Sequence, residues 1–206
     1  MGVHIPIKKS GIYFITFTCY QWLPLIEQTK AYDEVYKFFN VLNKNGHTVL
    51  GYVIMPNHVH FLLYYQQRVQ SLNTAIGNGK RFIGYEIIKR LQQQQNTAML
   101  SLLEQGVNPA EKQRNKLHQI WQGAFDVKEC RTEKFILQKL NYMHHNPCTD
   151  RWKLCVSSHH YEHSSASFYE VGKPGKFIVK DYRDFLALLQ EQEDVSMSPG
   201  QNTNHG

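Results

Sequence analysis

Apolar and polar positions change period several times along the chain, and each change marks an element. In "GIYFITFTCY" (11–20) apolar residues alternate with polar ones and many are β-branched or aromatic, which predicts a strand. From Tyr32 to Asn45, Val35, Phe38, Phe39 and Leu42 recur at helical spacing, and Asn45-Gly46 ends the helix. A second β-like run covers His47 to Met55, breaks at Pro56-Asn57 and resumes from His58 to Tyr65. It is either a hairpin or one long strand bent at the proline. Residues 69 to 95 predict a helix with Ile83, Ile87 and Leu91 on one face and Arg81, Tyr85 and Lys89 on another.

Beyond residue 95 the pattern is weaker. Residues 96 to 118 are polar, with a short helix expected from Ala110. "HQIWQGAFDV" (118–127) suits a short strand or an ordered loop. Thr132 is placed to cap a helix that runs through Phe135, Ile136, Leu140 and Met143 to about His145. Asn146 precedes Pro147, and a residue before proline avoids the α region, so the helix is expected to stop there. Residues 150 to 190 mix strand-like pieces with loops, and 191–206 reads as a disordered polar tail. Strand, helix, strand, strand, helix in that order predicts a single α+β domain over 1–190. The expected arrangement is ferredoxin-like: an antiparallel sheet with helices packed mainly on one face.

Composition narrows the class. The 206 residues are 42% hydrophobic and 13% aromatic, enough for a core, and no run approaches a membrane span. "MGVHIPIKKSG" lacks the apolar segment of a signal peptide, so an intracellular, cytoplasmic protein is expected. Lysine and arginine number 23 against 17 acids, a net charge of +6 that suits a polyanionic partner. "GNGK" (77–80) lacks the spacing of a phosphate loop. Cys148, Cys155, His159 and His163 match no structural zinc spacing, and free thiols are expected for all four cysteines.

Two constellations carry chemistry. Within "GYVIMPNHVHFLLYY" (51–65), His58 and His60 lie two apart on a strand and project from one face. They are either hydrogen-bonded histidines on the polar side of a strand or two ligands of one cation. In "NYMHHNP", Tyr142 and Asn146 stand four apart and share a helix face. They read either as a core tyrosine and a cap, or as a phenol beside an amide oxygen able to serve as a third ligand.

Taken together, "GYVIMPNHVHFLL" and "YMHHNP" resemble the single-tyrosine HUH transposases, in the insertion-sequence-200-like branch that includes the REP-associated tyrosine transposases. "GIYFITFTCY", "IWQGAFDV" and "VSSHHYEHSSASFY" echo further family segments, so the resemblance covers about residues 10 to 185. His144-His145 in place of a single histidine and the Cys148–Trp152 stretch depart from the family pattern. The resemblance implies a transposase with Tyr142 as nucleophile and His58, His60 and Asn146 as ligands of Mg²⁺ or Mn²⁺. It implies cleavage and rejoining of single-stranded DNA near hairpins through a 5′-phosphotyrosine, by a monomer or homodimer. Lys80, Arg81, Lys89 and Arg151 are the expected phosphate contacts, and Trp121 the expected base-stacking residue. The other readings are a non-catalytic hairpin DNA-binding protein and an RNA-binding domain.

Overall fold

The computed structural model describes residue 7, residues 9–67 and residues 70–197. Residues 1–6 and 8 of the segment weighed as a signal peptide, Val69 at the expected start of the long helix, and residues 198–206 of the polar tail lie outside the described residues.

The strands are β1 (Gly11–Thr18), β2 (Thr48–Ile54), β3 (His58–Tyr65) and β4 (Asp126–Glu129). They form one antiparallel sheet in the order β2-β3-β1-β4. The helices are α1 (Leu25–Gln28), α2 (Tyr32–Lys44), α3 (Leu72–Gln93), α4 (Thr97–Gln105), α5 (Pro109–Lys112), α6 (Glu133–His145), α7 (Ala166–Val171) and α8 (Tyr182–Met197). Strand order and the β1-α2-β2-β3-α3-β4 sequence give the expected α+β, ferredoxin-like arrangement. Among the described residues no helix is long and apolar enough to cross a membrane.

Alternation along the strands divides the core in two. Ile15 and Phe17 of β1 and Val59 and Phe61 of β3 face α2 and α3, packing with Phe38, Phe39, Ile83 and Ile87. This is the helical layer the sequence predicts. The other face is covered as well: Phe14, Leu50, Val53 and Leu62 pack beneath Ile136, Leu140 and Met143 of α6 and Phe185 of α8. His58 and His60 lie on this second face. Gly51 lets α6 sit close to it, because a Cβ there would stand 2.7 Å from Met143 Cε and 2.8 Å from Leu140 Cδ2. The free edge of β2 is closed by residues 163–165, with Ile54 N–H donating to His163 O at 2.8 Å and Ser165 N–H to Tyr52 O at 3.0 Å.

Four local expectations change. The polar 96–118 stretch contains α4, capped by the Asn96 side chain, which accepts from Met99 N–H. Residues 150–190 supply only an isolated bridge, Val53 to Ser164, in place of strand-like pieces, and otherwise form turns, α7 and the start of α8. Asn146 does not leave the α region: at φ −50° and ψ −46° it opens a 3-10 turn over Asn146–Cys148. Thr149 explains that, since its N–H and Oγ1 both donate to Asn146 O, at 3.3 and 2.9 Å, and hold the turn against the preference of a pre-proline residue. Finally, α8 carries the helix through 191–197, the first part of the stretch expected to be a tail.

Candidate active site

The second face of the sheet opens at one end into a cleft of about 630 Å³. Its floor is the beginning of β3 and the end of β1; its wall is the last turn of α6 and the loop that follows. Pro56-Asn57 turns the chain into β3, so His58 and His60 arrive on the same side, their ring centroids 4.7 Å apart. Both are nearly inaccessible, at 3% and 5% exposure, so each ring needs a partner.

The partners fix the rings. Asn57 Oδ1 lies 2.6 Å from His58 Nδ1. An amide oxygen only accepts, so Nδ1 carries the hydrogen and Nε2 keeps its lone pair. That lone pair faces the side-chain amide of Asn146, whose Nδ2 is 2.9 Å away. His60 Nδ1 is 2.7 Å from Thr16 Oγ1, its cross-strand neighbour, and the ring stacks on Phe14 at 5.4 Å. Asn57 also donates from Nδ2 to Trp22 O at 2.7 Å. One side chain therefore ties a ring of the floor to the rim of the cleft.

Both imidazoles are held neutral. Burial, helped by the nearby Arg151 charge, brings His58 from 6.5 down to about 4. Burial also drives His60 well below its usual range, with His58 and Lys139 adding to the effect.

The nucleophile candidate comes from α6. Thr132 caps that helix as expected, its Oγ1 accepting from Phe135 N–H, and thirteen residues later the chain is still helical at His145. Tyr142 lies 5.3 Å from the His60 ring and 6.3 Å from Phe14, centroid to centroid. At 55% exposure it is open to a substrate that the buried rings cannot reach out to meet. Lys139, one turn earlier, places its ammonium 5.8 Å from the Tyr142 ring centre. Of the two histidines that follow it on α6, His144 is engaged elsewhere. His144 is buried, faces Ser165 Oγ at 2.9 Å and is brought to about 4 by burial; His145 is exposed.

The donor set suits a divalent cation. Two neutral imidazoles lie side by side with a carboxamide against one of them, and exchange of the amide's two ends would turn Oδ1 toward the His58 lone pair. Among the described residues no group of three or more His, Cys, Asp or Glu side chains is placed to hold a metal, which leaves the Cys148/Cys155/His159/His163 grouping without support. Cys148 and Cys155 stand with Sγ atoms 3.0 Å apart as free thiols.

The expected DNA contacts divide. Arg151 lines the cleft, its guanidinium 4.8 Å from the Trp22 ring centre and 5.4 Å from that of Trp152. Lys80, Arg81 and Lys89 are on α3, behind the opposite face of the sheet. Lys80 is excluded as a phosphate contact: at 7% exposure it donates to Gly123 O and Ala124 O, both at 2.9 Å. Burial lowers its pKa to about 8. Arg81 is exposed but lies over Phe82 at 5.2 Å, and Lys89 pairs with Glu86 at 3.3 Å. Trp121 is a packing residue. Its Nε1 donates to Lys80 O at 2.9 Å and its ring meets Phe17 edge-on at 5.0 Å.

The sequence reading passed over Thr16, Asn57, Trp22, Lys139 and Asp126, all at or next to the cleft. The register of β1 with its two neighbours was the available signal for two of them. Once β1 pairs with β3, Thr16 falls opposite His60, and pairing with β4 puts Asp126 opposite Thr16.

No family model and no curated protein matches the chain. Among solved structures, it is similar to that of a REP-associated tyrosine transposase bound to a REP hairpin. The identity is 15%, the TM-score 0.52, and the match covers 84% of this chain and 86% of the other. It is also similar to a putative transposase from Deinococcus radiodurans R1, at 17% identity and a TM-score of 0.34, over 69% of this chain and 95% of that one. The first likeness shows a shared fold.

Proposed function

We propose that the protein is a DNA transposase that cleaves and rejoins single-stranded DNA near hairpins, with Tyr142 as nucleophile. The observation that carries this reading is the meeting, within one chain, of His58, His60, Asn146 and an exposed phenol in a single cleft. The similar fold of a transposase bound to a REP hairpin supports it.

In this reading His58, His60 and Asn146 hold a divalent cation, Mg²⁺ or Mn²⁺, which when bound neutralises charge on the scissile phosphate and polarises phosphorus. Asn57 and Thr16 each hold one imidazole through its Nδ1, so little reorganisation is left for the moment of reaction. Tyr142 loses its proton and its oxygen bonds to phosphorus. The bond to the 3′-oxygen breaks, and that oxygen takes a proton and leaves as a 3′-hydroxyl. The phosphotyrosine conserves the ester, so a second 3′-hydroxyl can attack it and restore the phenol; no nucleotide cofactor is needed. Lys139 places a cation beside the Tyr142 ring, where it attracts the approaching phosphate. Because all four groups belong to one chain, the reading is of cleavage in cis.

The test is incubation of the protein with hairpin-flanked single-stranded oligonucleotides and Mn²⁺, followed by denaturing electrophoresis. A covalent protein–DNA band is expected, absent in Tyr142→Phe and after chelation. Equal adduct formation by Tyr142→Phe would overturn the mechanism. Hairpin binding without an adduct under any divalent metal would make the protein a non-catalytic DNA-binding relative.

A further inference from the structure

The cleft has a second wall that the cleavage chemistry leaves unused. Trp22 stands at the rim, 48% exposed although it is a large aromatic side chain. Arg151 lies over its ring at 4.8 Å and over Trp152 at 5.4 Å. Both indoles lean on the same imidazole: Trp22 is 5.7 Å and Trp152 5.8 Å from His58, centroid to centroid. Two aromatic planes and a guanidinium are thus assembled around one of the site's buried rings.

The backbone is strained to achieve this. Gln21 and Trp22 both sit at positive φ, 49° and 59°, a region that non-glycine residues seldom occupy. Two side chains hold the turn there. Gln122 Oε1 accepts from Gln21 N–H at 2.9 Å, and Asn57 Nδ2 donates to Trp22 O at 2.7 Å. Asn57 is the residue that also orients His58, so the position of the indole is indexed to the position of that imidazole. Strain kept in place by its surroundings, at the mouth of a cleft, points to a use for the side chain it presents.

Unpaired nucleobases bind on such surfaces. They stack on aromatic side chains and on guanidinium planes, while the arginine charge attracts the neighbouring phosphate. We propose that Trp22, Arg151 and Trp152 form a stacking subsite for the unpaired nucleobase next to the phosphate on which Tyr142 acts. The subsite rests on the strand-transfer reading for its place in the reaction, but its binding is separable from cleavage. Base stacking here fixes the backbone beside the buried imidazoles and lets a flexible single strand enter in one register.

The test uses the full chain carrying Tyr142→Phe, so that binding is read without cleavage. Short oligothymidylate is compared with an oligomer of equal length in which the bases are replaced by abasic sugars. Tryptophan fluorescence reports the contact, because Trp22 and Trp152 lie in the cleft while Trp121 packs against Phe17. Saturable quenching by oligothymidylate is expected, with the abasic oligomer binding about 10-fold more weakly or worse. Trp22→Leu should lose affinity by about 10-fold, Trp22→Phe should restore most of it, and Arg151→Lys, which keeps the charge but not the plane, should fall between. Equal binding of base-bearing and abasic oligomers, or parental affinity in Trp22→Leu, overturns the subsite. If Trp22→Leu does not fold, the abasic comparison and Arg151→Lys decide alone. Base-dependent quenching in a protein whose wild-type form never makes an adduct would sink strand transfer and leave the subsite standing. An adduct formed without base dependence does the reverse.

Discussion

Neighbouring residues of β3 serve two different cores. Val59 and Phe61 face α2 and α3, where every partner is apolar or aromatic and fully enclosed. His58 and His60, one residue away in each case, face the α6 side, where each ring has a named hydrogen-bond partner and an open cleft above it. The same strand and the same degree of burial yield two kinds of stabilisation. On the first face, burial removes apolar area from water, and each large side chain contributes roughly 1.5–3 kcal/mol. On the second face, burial works against the charged forms of the imidazoles and keeps both rings neutral, so stability there is exchanged for chemistry.

Substitutions on adjacent residues separate the two roles. Phe61→Ala is expected to cost roughly 3–5 kcal/mol in urea unfolding while the folded fraction still forms the DNA adduct. His60→Ala is expected to cost less stability but to abolish the adduct. Matching losses of both properties in both variants would erase the distinction between the faces.

The next effect is on metal affinity. Asn57→Ala frees the His58 ring to change tautomer and rotate, so Mn²⁺ affinity measured by calorimetry should fall about 10- to 100-fold. Retention of full affinity would show that the Asn57 contact does not orient the ligand.

Acid is expected to weaken the chemical face in particular. His58 and His144 are brought from 6.5 to about 4 in the fold, mainly by burial. The unfolded chain therefore binds more protons between those values, and stability falls as pH drops from about 6.5 toward 4. Each such histidine contributes roughly 2 kcal/mol of that loss by pH 5. His144→Gln should flatten the curve of unfolding free energy against pH by its share; an unchanged slope would mean His144 is charged in the fold.

The smallest expected effect concerns Lys80. Lys80→Met should leave hairpin affinity and its salt dependence unchanged, since the ammonium is spent on two carbonyls behind the sheet. Arg151→Ala should weaken binding and reduce the salt slope by about one.

These contrasts also explain what the sequence made legible. Period-two alternation placed His58 and His60 together, and i, i+4 spacing placed Tyr142 with Asn146, because both rules are local. The cap at Thr132 and the end of α2 at Asn45-Gly46 were readable for the same reason. Lys80 misled because a basic residue at helical spacing gives no sign that two distant carbonyls, at 123 and 124, will meet it. The pre-proline rule is local too and rightly ended α6 at His145, while the Thr149 hydrogen bonds that keep Asn146 itself at α angles are seen only in three dimensions. Trp22 was invisible because positive φ at a non-glycine residue is imposed by tertiary partners, Gln122 and Asn57, and leaves no trace in composition.

Gly51 gives the arrangement an unexpected gauge. The floor of the cleft is carried by the sheet and its wall by α6, and at Gly51 the side-chain ends of Met143 and Leu140 rest on bare strand backbone. A methyl group at that position would press on the ends of Met143 and Leu140, and both side chains would have to turn aside on the helix that ends beside Asn146. The one position of β2 without a side chain is thus where the wall of the cleft seats on its floor.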